Sequence, residues 1–406
     1  MSTNGRPRVL WVTPRMPWPA LSGGERRVLG SALRLAARWR VTLLTTVGPA
    51  DAARAAASAL HLESRGLEKV RVVPRPMARP APSWNRFLPE TAARFHDPAF
   101  EAAVIEELDA GVDLVQLEFS EMGQYAGAAE GRAPVVFTEH DAGSLTGDRD
   151  YLRPAAGAAP WAAAFERAKR RLYLRGVARR SARVVAVSPS DAVLLDGLAG
   201  AGKVRVVPTG VDLAEFPFHP LPGRAPGEVL FVGFYGHYPN EDAAVFLAQE
   251  VQPLLQRAFP GSRLRLGGSH PTPRVRGLAG DGVEVVGTLP RVQPLLERAR
   301  LFAAPVRLGR GIKGKLLEAF ASGVPVVASP EACEGIPGLR DGEHLLLARG
   351  AADFAAACGR VLRDDALAVC LAAAGRTFVE DGWDEERQAR KLEAVWRELV
   401  DGGVPA

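Results

Sequence analysis

Residues 301–327, LFAAPVRLGRGIKGKLLEAFASGVPVV, carry the clearest structural signal in the sequence. The apolar run at 301–305 and the β-branched run at 324–327 each predict a short buried strand. A glycine-punctuated loop follows the first run and leads into a helix that we expect to begin near Lys315. Gly323 is expected to end that helix, because glycine readily adopts the left-handed conformation of a C-cap. Strand, loop, helix and strand in this order form one repeat of a parallel α/β sheet.

The same alternation extends along most of the chain, which predicts the α/β class with doubly wound parallel sheets. A proline-rich stretch at 75–89 interrupts it, and we expect a loop there. The last ~55 residues are predicted to be helical, with breaks near Asp364 and Trp383. The predicted strands are 9–13, 41–45, 70–73, 114–117, 135–138, 184–187, 204–207, 229–232, 264–266, 283–286, 301–305, 324–327 and 345–347.

The chain is expected to form two domains. Its 406 residues exceed what one hydrophobic core usually supports, and five prolines within 208–227 can continue neither a sheet nor a helix. We therefore expect a Rossmann-like domain at 1–207, a linker at 208–227, a second Rossmann-like domain at 228–382, and a helix at 383–406 that packs back on the first domain. Such sheets bind ligands at the carboxyl ends of their strands, so the two domains are expected to face each other across one cleft.

The composition indicates a soluble, cytoplasmic protein. No run of ~18 apolar residues predicts a membrane span, and the start, MSTNGRPRVLWVTP, looks like a first strand rather than a signal peptide. Three widely spaced cysteines favour a reducing compartment over a disulfide framework. The seven histidines show no metal-ligand spacing, and we expect no required metal.

Basic residues concentrate at 167–183, a predicted helix with seven arginines and one lysine in a chain of net charge +5. One interpretation is a solvated face. The other is a peripheral contact with the anionic inner face of the plasma membrane. Nucleic acid is not an expected partner, because the sequence has neither zinc-finger spacing nor an RNA-binding aromatic motif.

Two glycine-rich turns meet the requirements of a phosphate site. Gly23 and Gly24 follow the first strand and open a helix, where backbone amides and the positive helix end favour an anion. By itself this pair is equally consistent with a tight turn. The second turn is the loop at 307–315, in which Arg310, Lys313 and Lys315 surround three glycines at a helix start.

A diphosphate at the second turn would meet the backbone amides of Gly314, Lys315 and Leu316 as well as the cations. Glu318, one turn into the helix, would accept hydrogen bonds from the hydroxyls of a ribose. The alternative is a basic surface loop in which Glu318 pairs with a lysine. The turns match neither a P-loop nor a dinucleotide fingerprint, which argues against ATPase and dehydrogenase functions.

These motifs together resemble glycosyltransferase family 4, the retaining enzymes of the GT-B fold, over nearly the whole chain. The most specific is KLLEAFASGVPVV at 315–327. The others are Gly23-Gly24, VAVSPS at 185–190, VPTGVD at 207–212, FVG at 231–233 with Pro239-Asn240, and Gly287-Thr288.

The resemblance implies a metal-independent hexosyl transferase without further cofactor. Its donor would be a nucleotide-diphosphate sugar, UDP- or GDP-linked, and its acceptor a glycan, a lipid-linked or a small-molecule hydroxyl. Gly23, Gly24 and Gly233 would contact the donor, and Gly287 with Thr288 the nucleotide base. The basic loop and the Lys-x-Leu-Glu helix look like the subgroup of bacterial envelope and exopolysaccharide transferases.

The sequence departs from the family pattern at two positions. The family commonly carries two glutamates with seven residues between them; Glu318 matches the second, but Arg310 stands at the first. The usual Arg/Lys pair just after Gly233 is also absent, and Lys313 and Lys315 are expected to supply that charge.

Stabilising the departing diphosphate is the main electrostatic task of such a transferase. We assign it to Lys315, with Arg310 and the neighbouring amides. His140 resembles the family's histidine near the sugar, against the alternative of a structural histidine. Glu118, at another predicted strand end, would orient an acceptor hydroxyl or have a structural role.

Two other functions fit the same architecture. A nucleotide-sugar epimerase needs the nucleotide site but no acceptor. A catalytically silent GT-B binding protein would explain the missing glutamate. The retained Glu318 and the cationic loop argue against it, because a site without activity would not need this concentration of charge.

Overall fold

A computed structural model describes residues 5–20, 22–49, 51–75, 87–145, 160–289, 291–308 and 311–402. The chain divides into two compact units. The first comprises Met1–Pro208 and Gln388–Ala406, and the second comprises Thr209–Arg387.

In the described part of the first unit, seven parallel strands form one sheet in the order β3-β2-β1-β4-β5-β6-β7. The strands are β1 (Arg8–Thr13), β2 (Arg40–Val47), β3 (Lys69–Pro74), β4 (Leu114–Glu118), β5 (Val135–Glu139), β6 (Arg183–Ala186) and β7 (Val204–Val206). The helices are α1 (Gly23–Leu35), α2 (Ala52–Ser64), α3 (Glu90–Ala93), α4 (Pro98–Asp109), α5 (Phe119–Met122), α6 (Pro160–Arg180) and α7 (Pro189–Ala199).

Apolar side chains occupy both faces of the central strands. Val9 to Val12 of β1 are fully buried, as expected of a parallel sheet covered on both sides by its crossover helices. The register pairs Trp11 of β1 with Gln116 of β4, and Glu118 of β4 with Thr138 of β5. Because these strands are parallel, the residues that follow them lie along one edge of the sheet.

In the described part of the second unit, a sheet of six parallel strands has the order β10-β9-β8-β11-β12-β13. The strands are β8 (Glu228–Val232), β9 (Arg263–Gly267), β10 (Val283–Gly287), β11 (Leu301–Ala304), β12 (Val326–Ala328) and β13 (Leu346–Leu347). The helices are α8 (Tyr238–Phe246), α9 (Gln252–Ala258), α10 (Pro273–Arg276), α11 (Gln293–Arg298), α12 (Gly314–Ala321), α13 (Pro330–Cys333), α14 (Gly350–Arg363) and α15 (Asp365–Gly382). A last helix, α16 (Glu385–Val400), begins in this unit and continues into the first.

Most of α16 belongs to the first unit. The indole of Trp396 is fully buried between those of Trp11 and Trp39, with ring centroids 5.2 and 5.0 Å away. Its Nε1 donates to Oε1 of Gln116 at 2.9 Å. The end of the chain therefore completes the core behind β1 and β4.

Residues 208–227, expected as a linker, are largely built into the second unit. Phe216 and Leu221 are buried in its core. The Arg224 guanidinium donates to the carbonyls of His219 and Ser322 at 2.7 and 2.6 Å, and burial lowers the pKa of Arg224 to about 10. This arginine ties the segment to the turn that ends α12.

Candidate functional site

A carboxylate and a histidine lie together at the carboxyl edge of the first sheet. Oε2 of Glu118, the last residue of β4, is 2.6 Å from Nε2 of His140, which follows β5. Both side chains are largely buried, with 2% and 10% of their surfaces exposed. The sequence placed both residues at strand ends, and the structure joins them in one hydrogen bond.

A buried polar network holds the other oxygen of this carboxylate. Oε1 of Glu118 accepts from Nε1 of Trp11 at 3.1 Å and from Nε2 of Gln116 at 3.0 Å. The Gln116 amide also lies 2.8 Å from Oγ1 of Thr138. Both donors to Oε1 lie on strands, and Trp396 of α16 in turn donates to Oε1 of Gln116, so this network orients the Glu118 carboxylate and the histidine ring bonded to it.

The charge state of His140 follows from this geometry. Burial lowers the pKa of His140, and the Glu118 carboxylate opposes that shift only in part. A neutral ring whose Nε2–H donates to Glu118 keeps the Nδ1 lone pair as an acceptor. No residue in the described part of the chain hydrogen-bonds Nδ1. The dyad can therefore accept a hydrogen bond from a hydroxyl through Nδ1.

The absence of a side chain at Gly24 allows the first turn of α1 to pack closely against His140 and Phe119. Phe119 adopts the left-handed region at φ 66° and stacks on the His140 ring, with centroids 3.7 Å apart. A Cβ on Gly24 would lie 2.7 Å from the Phe119 ring and 3.3 Å from Nδ1 of His140, whereas a Cβ on Gly23 would meet nothing within 4 Å. The two predicted glycines thus have different structural requirements.

Glu139 is a titratable group at this edge that the sequence analysis missed. Its side chain is buried, and its Oε2 has no hydrogen-bond partner in the described part of the chain. Burial raises the pKa of Glu139 to about 8, which makes it a neutral acid at pH 7. A glutamate inside a run of β-branched residues, VVFTEH, is the sequence signal that would have indicated it.

A buried lysine is the central feature of the second unit. Lys315 lies in the first turn of α12, and its Nζ donates to Oδ1 of Asn240 at 2.6 Å. The same ammonium lies 4.5 Å from the centroid of the Phe231 ring. Burial, followed by the charge of Lys313, lowers the pKa of Lys315 to about 7, although Glu318 raises it. The protein thus holds a poorly solvated cation at a helix start.

Three glycines bring strand ends against that cation. A Cβ on Gly233 would lie 3.2 Å from Nζ of Lys315, and a Cβ on Gly268 would lie 2.0 Å from the Gly233 carbonyl oxygen. The Gly233 amide donates to the carbonyl of Gly267 at 3.1 Å. Gly268, at φ 129°, was not predicted. A side chain at Gly233 would therefore crowd Lys315, and one at Gly268 would overlap the Gly233 backbone.

The first turn of α12 has fewer backbone amides available to a diphosphate than the sequence predicted. The Leu316 amide, expected to bind phosphate, donates to the Lys313 carbonyl at 2.8 Å. The Gly314 and Lys315 amides come earlier in the turn, where a helix offers no internal acceptor. We therefore restrict the predicted amide donors to these two.

The other predicted nucleotide contacts lie at strand and helix ends of the same sheet. Gly287 ends β10 at φ 78°, and its carbonyl accepts the Gly268 amide at 3.1 Å. Thr288 is exposed directly after it. Arg310 lies outside the described residues. Arg307, also in this loop, forms a bidentate pair with Asp242 at 2.9 and 3.1 Å.

No group of three or more His, Cys, Asp or Glu side chains in the described part of the chain is arranged to hold a metal ion. No helix in that part is long and apolar enough to cross a membrane.

Each unit matches a known protein family. The model described as Glycosyltransferase Family 4 matches residues 21–215, and that described as Glycosyl transferases group 1 matches residues 226–364. The chain belongs to glycosyltransferase family 4. The two family matches include Gly24, Glu118 and His140 in the first unit, and Asn240 and Lys315 in the second.

Curated relatives within the family include two phosphatidyl-myo-inositol mannosyltransferases. That of Mycobacterium leprae (strain TN) is 33% identical over 208 residues, which are 48% of this chain and 54% of the relative. That of Mycolicibacterium smegmatis is 32% identical over 170 residues, 40% of this chain and 43% of the relative. The match spans about half the length of these relatives.

Solved structures of similar fold cover nearly the whole family 4 chain. They include sucrose-phosphate synthase from Thermosynechococcus elongatus (TM-score 0.66, 21% identity, 98% of this chain and 100% of that one). Anabaena Alr3699/HepE in complex with UDP and glucose has a TM-score of 0.66 at 15% identity, with 96% and 98% covered. The pneumococcal O-GlcNAc transferase GtfA has a TM-score of 0.66 at 11% identity, with 98% and 100% covered. These similarities establish the GT-B fold of two parallel-sheet α/β domains.

Proposed function

We propose that this family 4 member is a retaining, metal-independent glycosyltransferase that moves a hexosyl group from a UDP- or GDP-linked sugar to an acceptor hydroxyl. Its product would belong to envelope or exopolysaccharide glycan or glycoconjugate biosynthesis. The observation that carries the proposal is the Lys315 ammonium, buried at the start of α12 and oriented by Asn240. The second unit would hold the donor and the first unit the acceptor.

The electrostatics of Lys315 favour a diphosphate over solvent. A cation whose pKa is lowered by burial has lost hydration, so an entering anion regains more energy there than at an exposed lysine. The Gly314 and Lys315 amides and the positive end of α12 add to the same attraction. The absence of a side chain at Gly233 lets the loop after β8 approach Nζ of Lys315, since a Cβ there would lie 3.2 Å from it.

The chemistry assigned to this group is leaving-group stabilisation. In the proposed reaction the bond from the anomeric carbon to the diphosphate oxygen breaks, and the electron pair stays on the diphosphate. The acceptor oxygen bonds to the same carbon, and its proton passes to the departing phosphate. Lys315 would stabilise the charge that develops on the diphosphate, and this charge is largest in the transition state.

The Glu118–His140 dyad would position a sugar hydroxyl. Glu118 fixes the ring, and Nδ1 of His140 faces the start of α1, 3.3 Å from the position of a Cβ on Gly24. A buried nitrogen that can accept a hydrogen bond favours a ligand with a hydroxyl group strongly over one without it, because the nitrogen would otherwise stay without a partner.

The decisive experiment is a transfer assay with UDP- and GDP-sugars, using Lys315→Met and the exposed Arg257→Met as a matched charge-removal control. We expect the wild-type chain to release nucleoside diphosphate with acceptor, to be stabilised thermally by UDP or GDP, and to lose both properties in Lys315→Met only. Isomerised sugar without any acceptor would instead indicate an epimerase. Nucleotide binding without turnover across acceptors would indicate a silent binding protein.

We also propose that α6 contacts an anionic membrane surface peripherally, from the cytoplasmic side. Trp161, Phe165 and Leu172 are exposed by 73%, 56% and 71%, and their spacing places them on one helix face together with Arg171 and Arg175. Large apolar side chains beside cations are what an interfacial helix presents to anionic headgroups.

Vesicle co-sedimentation tests this contact. Trp161→Ser with Phe165→Ser should release the chain from phosphatidylglycerol vesicles, whereas Val193→Ser, a similarly exposed apolar residue of α7, should not. Equal binding of all three proteins would leave α6 as a solvated face.

A further inference from the structure

A group of arginines at the carboxyl edge of the first sheet is used by neither the dyad nor the proposed donor site. Arg15 follows β1 and Arg75 follows β3. Both guanidinium groups lie over the ring of Phe95, with their central carbons 5.3 and 4.3 Å from its centroid. Phe95 itself is buried in the core of the unit. One rigid aromatic side chain thus supports two cations from separate strands.

The charges around this ring do not balance. Arg15 has a carboxylate partner, Oε1 of Glu121 at 3.3 Å, and Arg94 pairs with Glu90 one turn before it. Arg75 has no carboxylate within 4 Å in the described part of the chain. Burial lowers the pKa of Arg75, and the charges of Arg15 and Arg94 lower it further.

The energetics of this arrangement favour an anion. A cation on an aromatic face is attracted by about 0.5–1 kcal/mol when exposed, which accounts for one stacked arginine. It does not account for a second guanidinium over the same ring, because two positive charges that share one ring repel each other. A phosphate would bridge guanidinium groups through paired hydrogen bonds and would remove that repulsion.

We propose that Arg75, with Arg15 and Arg94, binds a phosphate group of the acceptor substrate. The inference rests on the proposed transferase function. Arg15 and Arg75 follow β1 and β3 at the same sheet edge as Glu118 and His140, where α/β sheets bind their ligands, and Arg94 is near enough for its charge to act on Arg75. The site belongs to the first unit and is distinct from the Lys315 site in the second. The acceptor is therefore a phosphorylated molecule, either a soluble sugar phosphate or a lipid with a phosphate headgroup.

The test uses the full chain carrying Lys315→Met, so that anion binding in the second unit does not contribute. Glucose 6-phosphate, with glucose as its uncharged match, and phosphatidylcholine vesicles with or without phosphatidic acid are the probes. We expect the phosphorylated form of at least one pair to bind. Arg75→Gln should weaken that binding at least tenfold, and Arg75→Lys should restore part of it. Arg132→Gln, which removes a surface arginine paired with Asp109, should have no effect.

The outcome also identifies the source of the phosphate. Binding of the sugar phosphate alone indicates a soluble acceptor, and binding to the phosphatidic acid vesicles alone indicates a lipid acceptor. No binding of either probe, or equal loss in Arg75→Gln and Arg132→Gln, overturns the inference. The transferase proposal fails separately, if the otherwise wild-type chain neither binds UDP or GDP nor transfers sugar.

Discussion

Nζ of Lys315 and Oδ1 of Asn240 are 2.6 Å apart, although 75 residues separate them in the chain. The Asn240 side chain can accept only in this orientation, because its Nδ2 donates to the Phe234 carbonyl at 2.9 Å. Asn240 therefore fixes the position of the ammonium without neutralising its charge. A cation that is held in position by a neutral partner is expected at a site that binds an anionic ligand.

The affinity of the second unit for nucleoside diphosphate should fall as pH rises above 7. Free Lys315 has a pKa of about 7, and a bound diphosphate favours its charged form, so binding at higher pH requires proton uptake. Calorimetry in two buffers of different ionisation enthalpy should detect close to one proton taken up at pH 8–9. In Lys315→Arg, which stays charged, this uptake should disappear; unchanged uptake would contradict the assignment.

Lys315→Met should leave the protein as stable as wild type or more stable below pH 7. The lysine is charged in the unfolded chain up to its ordinary pKa of 10.5 but loses its proton near pH 7 when folded. Its cost to stability is thus greatest below pH 7 and declines to zero as pH approaches 10.5. Melting curves of the ligand-free proteins at pH 6 and 9 measure this. A clear loss of stability at pH 6 would indicate a structural lysine instead.

Glu118→Gln should lower the kcat/KM of sugar transfer by roughly 10- to 100-fold, the usual effect of losing a hydrogen bond to a charged group. The glutamine also offers an N–H to Nε2 of His140, which would move the ring proton to Nδ1 and remove the acceptor. Nitrogen chemical shifts of His140 report that change of tautomer directly. Glu106→Gln, an exposed carboxylate of α4, serves as the control.

Gly24→Ala should destabilise the first unit by about 1–3 kcal/mol, because the new methyl group would overlap the Phe119 ring. Gly23→Ala adds the same methyl group one residue earlier, where no atom lies within 4 Å. Denaturant unfolding of both variants isolates the packing cost from the change in helix propensity. Equal stability of the two would show that Phe119 can move aside freely.

Glu139→Gln should become progressively more stable than wild type as pH rises from 5 to 8. The folded chain keeps the Glu139 proton up to about pH 8, whereas the unfolded chain loses it near 4.5. Wild-type stability therefore declines with pH across this interval, and the amide variant lacks that contribution. The difference in melting temperature between the two proteins, followed against pH, is the measurement. A difference that does not change with pH would mean that Glu139 is ionised when folded.

Much of the fold could be predicted because its signals are local. The run VVFTEH predicted β5 by its β-branched residues, and the glycines around Lys315 predicted a loop that opens α12. The resemblance to family 4 rested on motifs of this kind. The position of Lys315 at a helix start followed from the glycine-rich loop before it and from the Gly323 cap after it.

The partners of those residues could not be predicted. Asn240 beside Lys315, Gly268 against Gly233 and Arg75 over Phe95 all join segments that are distant in sequence. The pairing of Asn240 with Lys315, for example, depends on strand order, because β8 and β11, the strands before these two residues, are neighbours in the sheet. Hydrophobic periodicity shows which side of a strand is buried, but strand order arises from packing the whole sheet, and it brings together the charges on which the proposed chemistry depends.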